Sequence, residues 1–206
     1  MADSAGAKKV SSTALVVLAV VAACAYGLDQ FSKYLVVTHL TPGETVPVLG
    51  PVLQLLLVRN AGAAFSLASG MTWIFTIIAS AVIVFIIWFA SRIRSKAWAV
   101  VFGLLLGGVL GNLTDRLFRE PSFGLGHVVD FISTPWLVPA IYNLADSCIV
   151  AAMGLFLILT LRGIGLDGTR ASKKSTDAEQ PADVVEPAAG DDTVTNAAAP
   201  IPPAER

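Results

Sequence analysis

Two aspartates, Asp130 in His127-Val128-Val129-Asp130-Phe131-Ile132 and Asp146 in Asn143-Leu144-Ala145-Asp146, stand in apolar surroundings that seldom hold an acid without a task. They belong to a stretch from Asn112 to Asp146 that collects Asp115, Arg116, Arg119, Glu120 and Asn143 as well, between two apolar runs. Asp146 is followed by Ser147, Cys148 and an apolar run, which places it inside a would-be membrane span. An Asp there costs roughly 2.5–3.5 kcal/mol and needs a partner. Arg116 would give an ion pair and a structural site; Asp130 would give a carboxylate pair. Two carboxylates about 3 Å apart cannot both ionise, so one keeps its proton as an acid while the other activates water as a base. Such a pair titrates as a unit and suits hydrolysis of an amide bond without a metal or a covalent intermediate. On the residues alone both partners remain open.

Other chemistries are poorly supplied. His39 and His127 are the only histidines, lie far apart and belong to no HExxH or Cys/His cluster, so neither a metal nor another cofactor is expected. No GxSxG elbow is present. A Ser/Lys hydrolase would draw on Lys33 with Ser32, Ser66 or Ser147, but Asp29 already lies four residues before Lys33 on one helix face. A proton-coupled transporter using Asp29, Asp115 and Asp146 would want carboxylates spread through the membrane depth, whereas these cluster at one face. A non-enzymatic assembly factor would tolerate loss of both Asp130 and Asp146. Cys24 and Cys148 fall in apolar runs and read as small buried hydrophobes.

The elements that must position these groups follow from composition. With 55% hydrophobic and 14% charged residues among 206, and a mean hydropathy of +0.72, the chain reads as a polytopic membrane protein. No basic, aromatic-interleaved face supports nucleic-acid binding. After a cytoplasmic N-terminus over 1–12, four spans are expected at about 13–37, 71–90, 97–114 and 141–161. Val21-Ala22-Ala23-Cys24 imitates a lipoprotein cleavage site, but the apolar run continues through it to Val37. Trp73 and Trp88 mark the two interfaces of the second span, and Gly103, Gly107, Gly108 and Gly111 suit close helix packing in the third. Between the first two spans, turn signals at Pro42, Gly43, Pro47, Gly50 and Pro51 bound a β element over about 44–66, with a strand at Val52 to Val58. Residues 167–206, rich in Ala, Pro, Asp and Glu, read as a disordered tail beyond a four-span domain over 13–166. Basic residues concentrate on the terminal side, so both termini are expected in the cytoplasm. Asp29, Lys33, Asn112, Asp115, Arg116, Asn143 and Asp146 then share the outer face. Asn112 and Arg116 share one helix face, Asn143 and Asp146 another, and Asp130 occupies the intervening loop.

Taken in order, Asp29-Gln30-x-Ser32-Lys33, Asn60-x-Gly62-Ala63-Ala64-Phe65, Gly107-Gly108-x-x-Gly111-Asn112-x-x-Asp115-Arg116, Val129-Asp130-Phe131 and Asn143-x-Ala145-Asp146 closely resemble lipoprotein signal peptidase (signal peptidase II) over about residues 13 to 162. The resemblance implies an aspartyl endopeptidase of the bacterial cytoplasmic membrane. Such an enzyme cuts the signal peptide from a diacylglyceryl-modified prolipoprotein, just before the lipid-bearing cysteine. It implies Asp130 and Asp146 as the dyad, and so selects Asp130 as the partner of Asp146. Asn60, Asn112, Arg116 and Asn143 match positions that hold the substrate backbone and orient the dyad, and Asp115 a structural support, with Asp29 and Lys33 bracing the same site. It also implies that the β element cradles substrate and that a mobile loop around 119–137 covers it. Tyr142 departs from the usual Phe, and the Arg116-to-Val129 link is longer than in many members. The implied partners are a lipidated prolipoprotein and membrane lipids, with the chain a monomer.

Overall fold

Four charge-poor apolar runs become four helices: α1 (Ser12–His39), α2 (Thr72–Ala90), α3 (Lys96–Phe118) and α4 (Leu144–Leu161), each long and apolar enough to cross a membrane. The computed structural model describes residues 10–62 and 72–170. The expectations for residues 1–9, for Ala63 to Ser66 and for the tail beyond 170 lie outside the described residues. Residues 167–170, assigned to the tail above, lie in a turn in which Ile164 bridges Arg170 and the Leu166 carbonyl accepts from the Arg94 and Ser95 amides.

Two helix boundaries differ from expectation. α3 continues to Phe118, one turn past the apolar run, because Asp115 pairs with Arg119 at i,i+4. α4 begins at Leu144 rather than 141, because Val138–Tyr142 is a strand and Asn143 caps the helix. Cys24, expected to be buried, is exposed on α1, and Cys148 is half-buried.

α3 is the central helix and packs against α1, α4 and α2. Its glycines set the distances. A Cβ on Gly103 or Gly107 would run into Leu18, Val21, Ala22 or Ala25 of α1, and one on Gly108 into the Ala145 carbonyl of α4. In lipid, where burying apolar surface brings little gain, such close backbone approach is what holds helices together.

At one end of the bundle the strands β1 (Thr45–Pro47), β2 (Gln54–Asn60), β3 (Val128–Thr134) and β4 (Val138–Tyr142) form an antiparallel sheet in that order. The β element expected over 44–66 is therefore half of a sheet whose other half comes from the link between α3 and α4. Val36 of α1 packs with Leu57, Val129 and Phe131 beneath it. Asp130, expected in a loop, sits in β3 directly opposite Val58. The segment read as a mobile covering loop consists of a turn tied to α3 by Gly126 N–H donating to the Arg116 carbonyl (2.9 Å), then β3.

Candidate functional site

Lys33 is completely buried, and its ammonium has three protons to place. They go to Asp29 Oδ2 (2.8 Å), Asp115 Oδ2 (2.9 Å) and Asn112 Oδ1 (3.0 Å). Asp115 also accepts from Arg119 Nε (2.5 Å) and from the Val129 amide (3.1 Å), so it pins β3 to α3. Asp29 accepts from the Ala145 amide (2.9 Å) and from Gln30 Nε2 (3.1 Å), and so ties α1 to α4. Gly111 is required here, because a Cβ would collide with the Asp29 carboxylate. The charges of this cluster balance, and it joins three helices and the sheet.

One amide away the arrangement changes. Because Lys33 can only donate, the Asn112 oxygen must face it, and the Asn112 Nδ2 is left to donate to Asp146 Oδ1 (2.8 Å). Asn143 is fixed in the same way: its Oδ1 accepts from the Asp146 amide (3.0 Å), and its Nδ2 donates to Asp130 Oδ1 (2.6 Å) and to Asn112 Oδ1 (3.1 Å). Its own amide returns a bond to Asp146 Oδ2 (3.2 Å), completing a capping box on α4. Asn60 takes the Gly62 amide on Oδ1 (2.8 Å) and donates through Nδ2 to Asp130 Oδ2 (2.7 Å). It can do so because it lies two residues beyond Val58, hence on the same sheet face as Asp130.

Asp130 and Asp146 thus receive one amide N–H on each of their four oxygens, share Asn143, and form no ion pair among the described residues. Asp130 is 2% exposed, and that burial raises its carboxyl to about 6, with the nearby charge of Asp146 adding to the rise against the opposing amide bonds.

Arg116, the other partner considered for Asp146, makes no ion pair with it. Its guanidinium lies over the Phe75 ring (5.1 Å), and its buried NH1 nitrogen has no hydrogen-bond partner among the described residues. Both groups face a cleft of about 700 Å³ lined by Asn60, Gly62, Phe75, Arg116, Asp130 and Ile141. Gly62 (φ 91°) leaves room there, since a Cβ would strike Phe75.

All nine residues singled out from the sequence fall into these two linked clusters or line the cleft beside the second. The alternatives lose their parts: the Ser32 and Ser147 hydroxyls bond to the backbone carbonyls of Asp29 and Asn143, and Lys33 is fully engaged. Ser66 lies outside the described residues. Among the described residues no group of His, Cys, Asp and Glu could hold a metal. Gln30, read from the sequence as bracing the site with Asp29 and Lys33, donates to Asp29 Oδ2 and the Gly111 carbonyl (both 3.1 Å), whereas Arg119 and Phe75 were not assigned to the site. Arg119 was visible as an i,i+4 partner of Asp115, whereas nothing local marks Phe75.

With the geometry in hand, comparison with known proteins is specific. A family model described as Signal peptidase (SPase) II matches residues 21–162. The lipoprotein signal peptidase of Leifsonia xyli subsp. xyli is 64% identical over 162 residues, covering 79% of this chain and 74% of that one. The lipoprotein signal peptidase of Rhodococcus jostii is 46% identical over 153 residues, covering 74% and 76%. A bacterial membrane enzyme solved by the in meso method at 2.3 Å resolution superposes with a TM-score of 0.63 at 28% identity, covering 81% of this chain and 96% of that one.

Proposed function

The chain belongs to the signal peptidase II family, and from that premise we propose that it is an aspartic endopeptidase removing signal peptides from prolipoproteins, with Asp130 and Asp146 as its catalytic dyad. The observation that carries the assignment is the pair of carboxylates held only by neutral amides beside an open cleft, next to a second acidic cluster that is fully neutralised. Asp130, the more deeply buried, holds the proton. Asp146, at the positive end of the α4 dipole with two N–H donors, carries the charge and draws a proton from the attacking water. As the tetrahedral centre collapses, Asp130 protonates the departing amine. The Arg116 NH1, without a hydrogen-bond partner among the described residues, is placed to bind a substrate carbonyl in the cleft.

The substrate in this reading carries a diacylglyceryl group on its cysteine and is cut just before it. It arrives sideways from the bilayer, and a site at helix ends receives it without lifting it out of lipid. The site faces the extracytoplasmic side, because Arg92, Arg94, Lys96, Arg162 and Arg170 gather around the opposite end of the bundle. A reporter fused after Lys174 should be active in the cytoplasm; activity only outside would reverse the orientation. The substrate class is tested by incubating purified protein with a prolipoprotein before and after lipidation of its cysteine. Cleavage is expected only after lipidation, and equal rates on both would overturn the assignment.

A further inference from the structure

Away from the acidic site, the opposite end of the bundle is built from two short connections. Between α2 and α3 the chain runs Ser91-Arg92-Ile93-Arg94-Ser95, and after α4 it turns through residues 163–170. Ile93 is completely buried and anchors the first connection, with Arg92 exposed on one side of it and Arg94 half-buried on the other. The second is fastened to the first and to α3: the Leu166 carbonyl accepts from the Arg94 (3.0 Å) and Ser95 (2.9 Å) amides, and the Ile164 carbonyl from Trp98 Nε1 (2.9 Å). Ile164 and Leu166 also pack on the apolar core, so the walls at this end are fixed.

Two cavities of opposite character adjoin there. One, of about 580 Å³, is lined by Ser91, Arg92, Arg94, Leu166 and Asp167. The other, of about 370 Å³, lies among the rings of Phe89, Trp98, Phe102 and Phe156, with Thr160 and Leu166 completing it. Leu166 belongs to both. Arg92 joins them a second time, because its guanidinium stands 4.1 Å from the Trp88 ring centroid and 5.6 Å from that of Phe89. Trp88 lies one turn before Arg92 and is exposed, so the guanidinium folds back along α2 toward the span instead of reaching past the helix end. Stacking engages the face of the guanidinium and leaves its N–H edge, which forms no ion pair among the described residues, to meet a phosphate. Asp167 is the acid in this lining, and its Oδ1 accepts from the Thr169 amide (3.0 Å) and hydroxyl (2.7 Å). Two guanidiniums against one carboxylate leave the first cavity with a positive excess.

We propose that the two cavities together form a binding site for one anionic phospholipid, with its phosphate on Arg92 beside Arg94 and an acyl chain among the four rings. The pairing of the cavities selects this occupant. A free phosphate uses only the basic cavity, and a neutral lipid gains only from the apolar one. A basic peptide or a second copy of this chain brings like charge to the arginines. Basic pockets at the ends of membrane helices take anionic headgroups for the same reason. The site goes beyond the peptidase assignment and does not depend on it; only the leaflet concerned, the cytoplasmic one, rests on the proposed orientation.

The full chain, purified in detergent, is equilibrated with phosphatidylglycerol or with phosphatidylcholine of the same acyl chains, and retained lipid is counted by native mass spectrometry. One phosphatidylglycerol per chain is expected, at about tenfold lower lipid concentration than phosphatidylcholine requires. Arg92→Gln should weaken phosphatidylglycerol retention about tenfold and leave phosphatidylcholine unchanged. Thr160→Trp, which fills the apolar cavity from an exposed position on α4, should weaken both lipids. Excess glycerol 1-phosphate, which carries the headgroup chemistry without a tail, should displace neither. Equal retention of the two lipids, parental retention of phosphatidylglycerol in Arg92→Gln or Thr160→Trp, or displacement by glycerol 1-phosphate would each overturn the proposal. Melting temperatures in detergent establish that the variants are folded, and the lipid preference of the parent decides the matter should either variant fail to fold.

Discussion

Two acidic clusters meet at Asn112 and are built in opposite ways. In the first, Asp29 and Asp115 share the ammonium of Lys33, Arg119 adds a second cation, and every proton of the ammonium has an acceptor. In the second, Asp130 and Asp146 have four amide N–H groups and, among the described residues, no ion-paired cation, while Arg116, which lines the same cleft as Asp130, has a buried NH1 with no hydrogen-bond partner among those residues. Burial of the same kind of group thus leads to a neutral tie in one place and to a poised pair in the other. A neutral tie holds elements together and has no reason to exchange protons. A pair held only by amides keeps its protonation within reach of a reaction, and a free guanidinium nitrogen leaves room for a ligand.

Substitutions should separate the two clusters. Asp130→Asn or Asp146→Asn is expected to lower turnover of a lipidated prolipoprotein by about 10⁴-fold while the protein still inserts and folds. A cleavage assay on purified variants reads this, and near-parental turnover in either would remove the distinction. Lys33→Met should act mainly on stability, by about 3–5 kcal/mol, because it strands two buried carboxylates. Thermal unfolding in detergent checks it, and a loss below about 1 kcal/mol would show that the first cluster is not the frame.

The pH dependence sharpens the contrast. Asp130 has its carboxyl raised from 3.8 to about 6 in the fold, so between those values the folded protein holds a proton that the unfolded chain releases. Stability therefore falls as pH rises through this window, by about 3 kcal/mol in all. Asp130→Asn removes that slope, whatever constant offset its altered hydrogen bond brings. Parent and variant melting curves from pH 4 to 8 measure it, and parallel curves would contradict the burial argument.

Arg116→Met should leave stability within about 1 kcal/mol, since the guanidinium it removes forms no ion pair among the described residues and its buried NH1 has no hydrogen-bond partner there, while raising KM about tenfold. Lys33→Met is the mirror image, and a stability loss in Arg116→Met equal to that in Lys33→Met would erase the comparison. The smallest effect expected is that of Arg119→Gln, about 0.5 kcal/mol in thermal unfolding, because Arg119 is 25% exposed and Lys33 still donates to Asp115.

Much of this was legible in the residues. The Asp29–Lys33 pair follows from i,i+4 spacing, the spans from apolar run length, and the glycine stripe of α3 from its periodicity. The strand carrying Asp130 was hidden for a physical reason. Val128–Thr134 is buried on both faces, so it lacks the alternation that marks a half-exposed strand, and Pro139 disguises β4. Asn143-x-x-Asp146 ahead of an apolar run is a capping-box signature, but Ile141 and Tyr142 drew the expected helix start too early. Which way the Asn112 amide faces depends on Lys33, 79 residues away, and no local pattern reports that. The choice of Asp130 over Arg116 as companion to Asp146 came from family resemblance. The structure adds a reason for it, because the guanidinium turns to Phe75 and Asn143 joins the two acids.

The central claim is that the amide-held acids do the chemistry and the neutralised acids hold the frame. It is tested most directly by comparing Asp130→Asn with Asp115→Asn in the same preparation, measuring cleavage of a lipidated prolipoprotein per folded molecule together with the melting temperature. The account predicts a folded Asp130→Asn protein that yields no product, and an Asp115→Asn protein that melts earlier but whose folded fraction still cleaves. Product from Asp130→Asn at the parental rate, or a stable Asp115→Asn protein that is wholly inactive, would contradict it.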